Sequence, residues 1–291
     1  MRWTPGGTSD DIEDRRDDGG GGGGGGGGGF GGFRLGLGGM LVLGVLSLVF
    51  KTDLLSPFLG LSRGGSPAVS RGAPDTARTK SEQPLVEFVS FVLNDNQKTW
   101  SQMLSSEGKT YQKAKLVLFR DTVDSACGMA ESATGPFYCP GDSKLYIDLG
   151  FFDELRTKFG APGEFAEAYV VSHEIGHHIQ NLLGIEAQVR SAQRRNPALR
   201  NPLSVKMELQ ADCFAGIWGH STNERGILEQ GDVQSGLGAA AAVGDDRLQK
   251  AASGHVSPES FTHGSSAERM EWFQRGYNSG KLSACNTFAK D

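Results

Sequence analysis

The sequence predicts a mixed α+β domain behind a glycine-rich tail and one apolar span. Three observations lead there. Apolar residues recur at helical spacing in long stretches that include Leu85, Phe165 and Met207. Two stretches between the first and second of these, KAKLVLFRD and FYCPGDSKLYIDL, have strand character and a Pro-Gly-Asp turn. Everything before about residue 57 has a different composition, dominated by glycine and then by leucine, valine and glycine.

The first 33 residues are the least foldable. Of 291 residues 43 are glycine, and Gly19 to Gly29 form an unbroken run with no side chain to bury. The preceding DDIEDRRDD mixes both charge signs and reads as a solvated tail. Residues 1–33 are therefore expected to be a disordered tail.

Residues 35–50, LGLGGMLVLGVLSLVF, carry no charge and lie between Arg34 and Lys51. As a helix they would span roughly 24 Å, just short of a hydrocarbon core of about 30 Å. Snorkelling by the two basic residues, or continuation into DLLSPFLGL, would close the gap. The long start and the lack of a prompt small-residue cleavage site argue against a cleavable signal peptide. The expectation is a single transmembrane signal anchor over 34–56 in the cell membrane. Basic residues are nearly balanced across it; an even cysteine count tips the orientation toward a cytoplasmic N-terminus and an extracytoplasmic domain. Residues 57–80, rich in Gly, Ser, Pro and Arg, read as a flexible linker, which leaves 81–291 as one compact domain with a sizeable core.

Along that domain, Leu85, Phe88, Phe91 and Val92 mark a helix, with a second helical piece around Trp100. The strand stretches follow. FFDELRTKFG is a helix that stops near Gly160. Phe165, Ala168, Val171, Ile175, Ile179 and Leu182 define an amphipathic helix ending near Gly184. NPLSVKMELQADCFAGIWG is another, with Pro202 near its start. The four cysteines suggest a Cys127–Cys139 bridge, with Cys213 and Cys285 paired by elimination; three connectivities remain formally open. No CxxC pair exists, which removes zinc ribbons and thioredoxin-type motifs. Net charge is −5, and the densest basic patch, Arg190 to Lys206, reads as a solvated helix face and loop, so no nucleic-acid partner is expected.

The chemistry lies in SHEIGHHIQ, residues 172–180. His173 and His177 are four apart on a helix, so both imidazoles can meet one ion. Glu174 is rotated about 100° from His173, poorly placed as a ligand but able to reach a water on the ion. This is the His-Glu-x-x-His arrangement of zinc sites. His178 points off the shared face and is expected to pack. A glycine at 176 costs about 1 kcal/mol relative to alanine inside a helix, so close packing or ligand approach explains it. Glu208 and Asp212 are again four apart, beside small residues that let two helices approach. Glu208 is therefore expected to be the third zinc ligand. Asp212 is expected to accept a hydrogen bond from the free ring nitrogen of His173.

HEIGHHIQ followed by ELQADCFAG resembles the bacterial neutral zinc metallopeptidase family. The likeness extends through GPFYCPGDSKLYIDLGFFDEL, GDDRLQ and SFTHGSSAERMEWFQRGY, and covers nearly the whole chain. The layout is also similar to the gluzincin clan, including the membrane-bound heat-shock metalloproteases. That resemblance implies a minimal gluzincin, a zincin-like fold, in which an edge strand pairs with extended substrate; Gly135, Pro136, Phe137 and Tyr138 are the matching positions. It also implies that His263 donates a hydrogen bond to the oxyanion and that Arg269 orients it. Here glycine follows His263 where those relatives have proline. His255 is the rival for the oxyanion role. GDDRLQ suggests nothing for Asp245 and Asp246 beyond helix capping.

The expectation is thus a membrane-anchored zinc endopeptidase that uses one Zn2+ and a peptide or protein substrate. Two alternatives stand beside it. One is a membrane-tethered zinc module for binding or assembly, without proteolysis. The other is a zinc hydrolase of a non-peptide substrate.

Overall fold

The computed structural model describes residues 1–18 and 76–289. The glycine run, the apolar span 34–56 and most of the expected linker lie outside the described residues. Among the described residues the fold is mixed α+β and mostly helical.

A four-stranded sheet has the order β1-β2-β6-β5. Its strands are β1 (Ile12–Asp14), β2 (Lys115–Phe119), β6 (Lys144–Asp148) and β5 (Phe137–Cys139). β1, β2 and β6 run parallel, and β5 runs antiparallel at the end of the sheet. β3 (Thr122–Ser125) and β4 (Gly128–Glu131) form a separate antiparallel hairpin. Side chains alternate between faces as strand geometry requires. Leu116, Leu118, Leu145 and Ile147 enter the main core. Val117, Phe119 and Tyr146 face the other way, into a small cluster with Val123 of the hairpin.

The first helices are α1 (Thr76–Ser81) and α2 (Gln83–Ser106). α2 is one continuous helix, where the sequence suggests two pieces. α3 (Gly150–Thr157) follows β6 and stops before Gly160, which has a left-handed φ of 67°. α4 (Glu164–Leu182) carries the SHEIGHHIQ stretch. α5 (Ile185–Arg195) leads to α6 (Arg200–Glu224), which carries Glu208 and Asp212. α7 (Asp232–Ala242), α8 (Asp245–Ser253) and α9 (Ser266–Ser279) complete the helical set.

α4, α6 and α9 pack around one buried aromatic group. Phe165 stacks on Trp218 at 5.8 Å, and Phe273 meets Phe165 edge-on. Two glycines set how close the helices come. A Cβ at Gly176 would stand 2.9 Å from the Ala211 backbone, so α4 and α6 touch where the sequence places a glycine beside alanine. A Cβ at Gly276 would stand 1.9 Å from the Cys213 carbonyl, so α9 lies directly on α6.

Two disulfides form with the expected pairing, Cys127–Cys139 and Cys213–Cys285. The first ties the β3–β4 turn to β5. The second ties α6 to the C-terminal turn Leu282–Cys285.

Two expectations need correction. Residues 1–18 are not a solvated tail, because β1 pairs with β2 and its charges are matched. Asp11 accepts from Lys113 at 2.8 Å and Lys115 at 2.9 Å, and Lys144 reaches Glu13 at 2.7 Å. Arg16 is buried between Asp14 and Glu82. A strand of three residues carries no periodicity to read, and its partners lie about a hundred positions away in the chain.

The second correction concerns the membrane. Among the described residues no helix is long and apolar enough to cross one. Moreover, one crossing between residues 18 and 76 would place β1 and β2 on opposite sides of a bilayer. They share a sheet, so the expected topology, a cytoplasmic N-terminus with the domain outside, does not hold.

Candidate active site

α4 and α6 bring three of the sequence-identified side chains, His173, His177 and Glu208, to one point. Glu208 Oε2 lies 3.1 Å from His173 Nε2, and Glu208 Oε1 lies 3.6 Å from His177 Nε2. The two rings meet edge-on with centroids 4.8 Å apart. Ligand atoms at about 2.1 Å from a tetrahedral ion sit roughly 3.4 Å from one another. The two separations bracket that value. One ligand atom from each of His173, His177 and Glu208 falls within 4.8 Å of the others, so the donor set fits a zinc-sized ion.

Both Nδ1 atoms are engaged elsewhere, which leaves both Nε2 atoms for the shared point. His173 Nδ1 is 2.9 Å from Asp212 Oδ1. His177 Nδ1 is 2.8 Å from Gln180 Oε1. Asp212 is fully buried, and two residues bind it in addition to His173. Arg269 Nε and Nη2 donate to its two oxygens at 2.8 and 3.0 Å, and the Tyr169 hydroxyl donates at 2.5 Å.

The charges within the site are strongly coupled. Burial opposes ionisation of Glu208, but the His177 and His173 imidazoles outweigh it and hold the carboxyl well below its usual range. Burial likewise opposes the charge on His173, yet Asp212 and Glu208 raise it to about 10. Burial also opposes the charge on Asp212, and Arg269 and His173 more than offset this. Glu174 differs: burial dominates and pushes its carboxyl up, although both histidines pull the other way.

Glu174 is buried and lines a cleft of about 550 Å³. Gly135, Pro136, Phe137 and Tyr138 line the same cleft, and β5, which carries the last two, stands at the edge of the sheet. His178 packs, as its position on the helix suggests. Its Nδ1 is 3.1 Å from the Tyr138 hydroxyl, and its Nε2 is 2.7 Å from the Gln112 carbonyl. Asn181 donates to the same hydroxyl at 2.9 Å. The third histidine of the stretch therefore holds the edge strand.

His263 lines the cleft, whereas His255 is exposed and does not. The neighbour that orients His263 is Asp245. Asp245 Oδ1 is 3.1 Å from His263 Nδ1, and Oδ2 accepts from the backbone N–H groups of Thr262, His263 and Gly264. Arg269 was expected to orient His263. Its hydrogen bonds run instead to Asp212, Tyr169 and the Val243 carbonyl, with His173 Nδ1 at 3.4 Å. The physical reason is the unpaired second oxygen of a fully buried Asp212, which needs a cation.

Sequence reasoning missed three polar residues here: Tyr169, Gln180 and Asp245. Two left a usable signal. Tyr169 is one turn before His173, and Gln180 is three residues after His177, each on the ligand face.

A family model described as "Putative neutral zinc metallopeptidase" matches residues 1–288. "Uncharacterized protein YpfJ" of Escherichia coli K12 is 46% identical over 295 residues, covering 100% of this chain and 99% of its own. "Uncharacterized protein Rv2575" of Mycobacterium tuberculosis H37Rv is 45% identical over 190 residues, covering 62% of this chain and 64% of its own. "Uncharacterized protein Mb2605" of Mycobacterium bovis matches to the same extent. No solved structure matches the chain.

Proposed function

Because the chain belongs to the neutral zinc metallopeptidase family, we propose that it is a zinc-dependent endopeptidase. His173, His177 and Glu208 would hold the ion. The observation that carries this reading is the convergence of three donor atoms in the lining of a cleft that Glu174 also lines. A purely structural zinc site is closed by a fourth protein ligand, and a cleft-facing acid beside the donors favours an open position.

The bound ion would supply Lewis acidity, polarising the scissile carbonyl and making a water acidic near neutral pH. Glu174 takes the proton from the attacking water and passes it to the departing amine. Its raised carboxyl suits it to both directions of transfer. His263, steadied by Asp245, donates a hydrogen bond to the oxygen on which negative charge develops. Arg269 acts further back, neutralising Asp212 so that the carboxylate can hold His173 without being left as an uncompensated buried charge. The outer edge of β5, which pairs with no further strand among the described residues, offers backbone N–H and C=O groups to an extended peptide, and Tyr138 is pinned there by His178 and Asn181.

Glu174→Gln tests the reading. The variant should bind one zinc as the wild type does and lose roughly 10²–10⁴-fold in peptide turnover. Peptide-library cleavage at the wild-type rate by a zinc-loaded Glu174→Gln protein would overturn it.

A further inference from the structure

The second ring nitrogen of His177 is held by a chain of buried amides that ends at a disulfide. Gln180 is fully buried and Gln210 is 4% exposed. Gln210 Nε2 donates to the Cys285 carbonyl at 2.8 Å. Gln180 Nε2 donates to the Met207 carbonyl at 2.7 Å and to Gln210 Oε1 at 3.2 Å. Gln180 Oε1 then faces His177 Nδ1 at 2.8 Å.

The order of donors along this chain has only one solution. A backbone carbonyl only accepts, so each amide must turn its NH2 toward the carbonyl it meets. Cys285 O thereby sets Gln210, whose oxygen then points at Gln180. Met207 O and that oxygen together set Gln180, whose own oxygen must face the histidine. An oxygen without a hydrogen accepts, so Nδ1 of His177 carries the proton and Nε2 keeps its lone pair. The far end cannot drift, because Cys285 is buried and bonded to Cys213 on α6, the helix that also carries Glu208 and Gln210.

We propose that Gln180 and Gln210 are positioning residues that select the metal-ready tautomer of His177. Gln180 acts on the ring directly; Gln210 acts through Gln180 and reaches no metal-facing atom. The relay rests on the zinc reading of His173, His177 and Glu208. It adds a second orienting system, separate from the Asp212–Arg269 pair that serves His173. Without it, the Nδ1 of His177 has no fixed acceptor, and both tautomers of the neutral ring become populated. The Nε2–H form presents a hydrogen to the ion and cannot bind it.

The test uses full-length protein and the near-isosteric variants Gln180→Met and Gln210→Met. The first readout needs no metal: long-range 1H–15N spectra of histidine-labelled protein in a Glu208→Ala background, which removes the carboxylate 3.6 Å from His177 Nε2, taken at a pH high enough to leave His177 neutral. The Glu208→Ala parent should show the Nδ1–H form, and both glutamine variants made in it should show a mixture. The second readout is zinc affinity by chelator competition. Gln180→Met should bind roughly 10–100-fold more weakly, the loss typical when a ligand's hydrogen-bond partner is removed. Gln210→Met should shift it several-fold in the same direction. Gln180→Glu separates positioning from packing: it keeps an acceptor for Nδ1, so it should retain the tautomer while melting at a lower temperature. A wild-type tautomer in Gln180→Met or Gln210→Met, or a lost one in Gln180→Glu, overturns the relay. Failure of the wild type to bind zinc would instead overturn the peptidase reading, while the metal-free spectra would still decide the relay.

Discussion

Asp212 shows how much one residue can organise. It accepts from His173, Arg269 and Tyr169 in a fully buried setting. Asp212→Asn should weaken zinc binding by roughly 10–100-fold, measured by chelator titration; unchanged affinity would remove the orienting role assigned to it. Its importance was legible from spacing, since Asp212 is one turn beyond Glu208. The arginine that neutralises it was not, because Arg269 arrives from a helix more than fifty residues later. Glu167 presents a different residue-scale effect. Burial, with Glu164 adding to it, raises its carboxyl to about 7. The unfolded value is near 4.5, so between those values the folded state binds more protons than the unfolded state. Stability therefore falls as pH rises from about 4.5 to about 7, and the cost is fully present above that. Glu167→Gln should flatten this decline in thermal melts and be the more stable protein at pH 8. Neighbouring Asp153 reinforces the shift and Arg156 opposes it.

Elements meet in this fold by backbone contact, and the glycines mark where. Replacing Gly276 by alanine would gain about 1 kcal/mol of helix propensity. It would also drive a methyl group into the Cys213 carbonyl, a backbone atom that cannot swing away. Overpacking of that kind costs about 1–3 kcal/mol or more, so the clash wins. The expected result for Gly276→Ala is a clear loss of stability in urea unfolding. Gly276 sits directly over Cys213, one residue from Asp212, so zinc affinity should fall with it. A more stable variant would show that α6 and α9 are not in backbone contact. At this scale the sequence was informative for α4 and α6, whose apolar periodicity is long. It was silent on β1 and on the β3–β4 hairpin, whose short strands are held by pairing and by Cys127–Cys139 and not by intrinsic preference.

For the whole molecule, the N-terminal segment is the largest surprise. Residues 1–18 complete the sheet and place Arg16 inside the domain. Deleting them should lower the melting temperature markedly, whereas a solvated tail would leave it unchanged. Arg16→Met isolates part of that effect: losing its charged hydrogen bonds to Asp14 and Glu82 should cost about 1.5–3 kcal/mol. The same pairing overturns the single-crossing topology, since β1 before the intervening segment and β2 after it belong to one sheet.

The sequence by itself determined the half of the candidate site that lies on α4 and α6. Four-residue spacing on two amphipathic helices is a local geometric fact, and it named His173, Glu174, His177, Glu208 and Asp212. Only the tertiary structure decided what surrounds them. It put Arg269 on Asp212, Asp245 on His263, the glutamine relay on His177 and the N-terminal strand in the sheet. Each of those depends on which distant segments share a dry interior, where a buried charge or amide must find a partner. No local pattern records that choice.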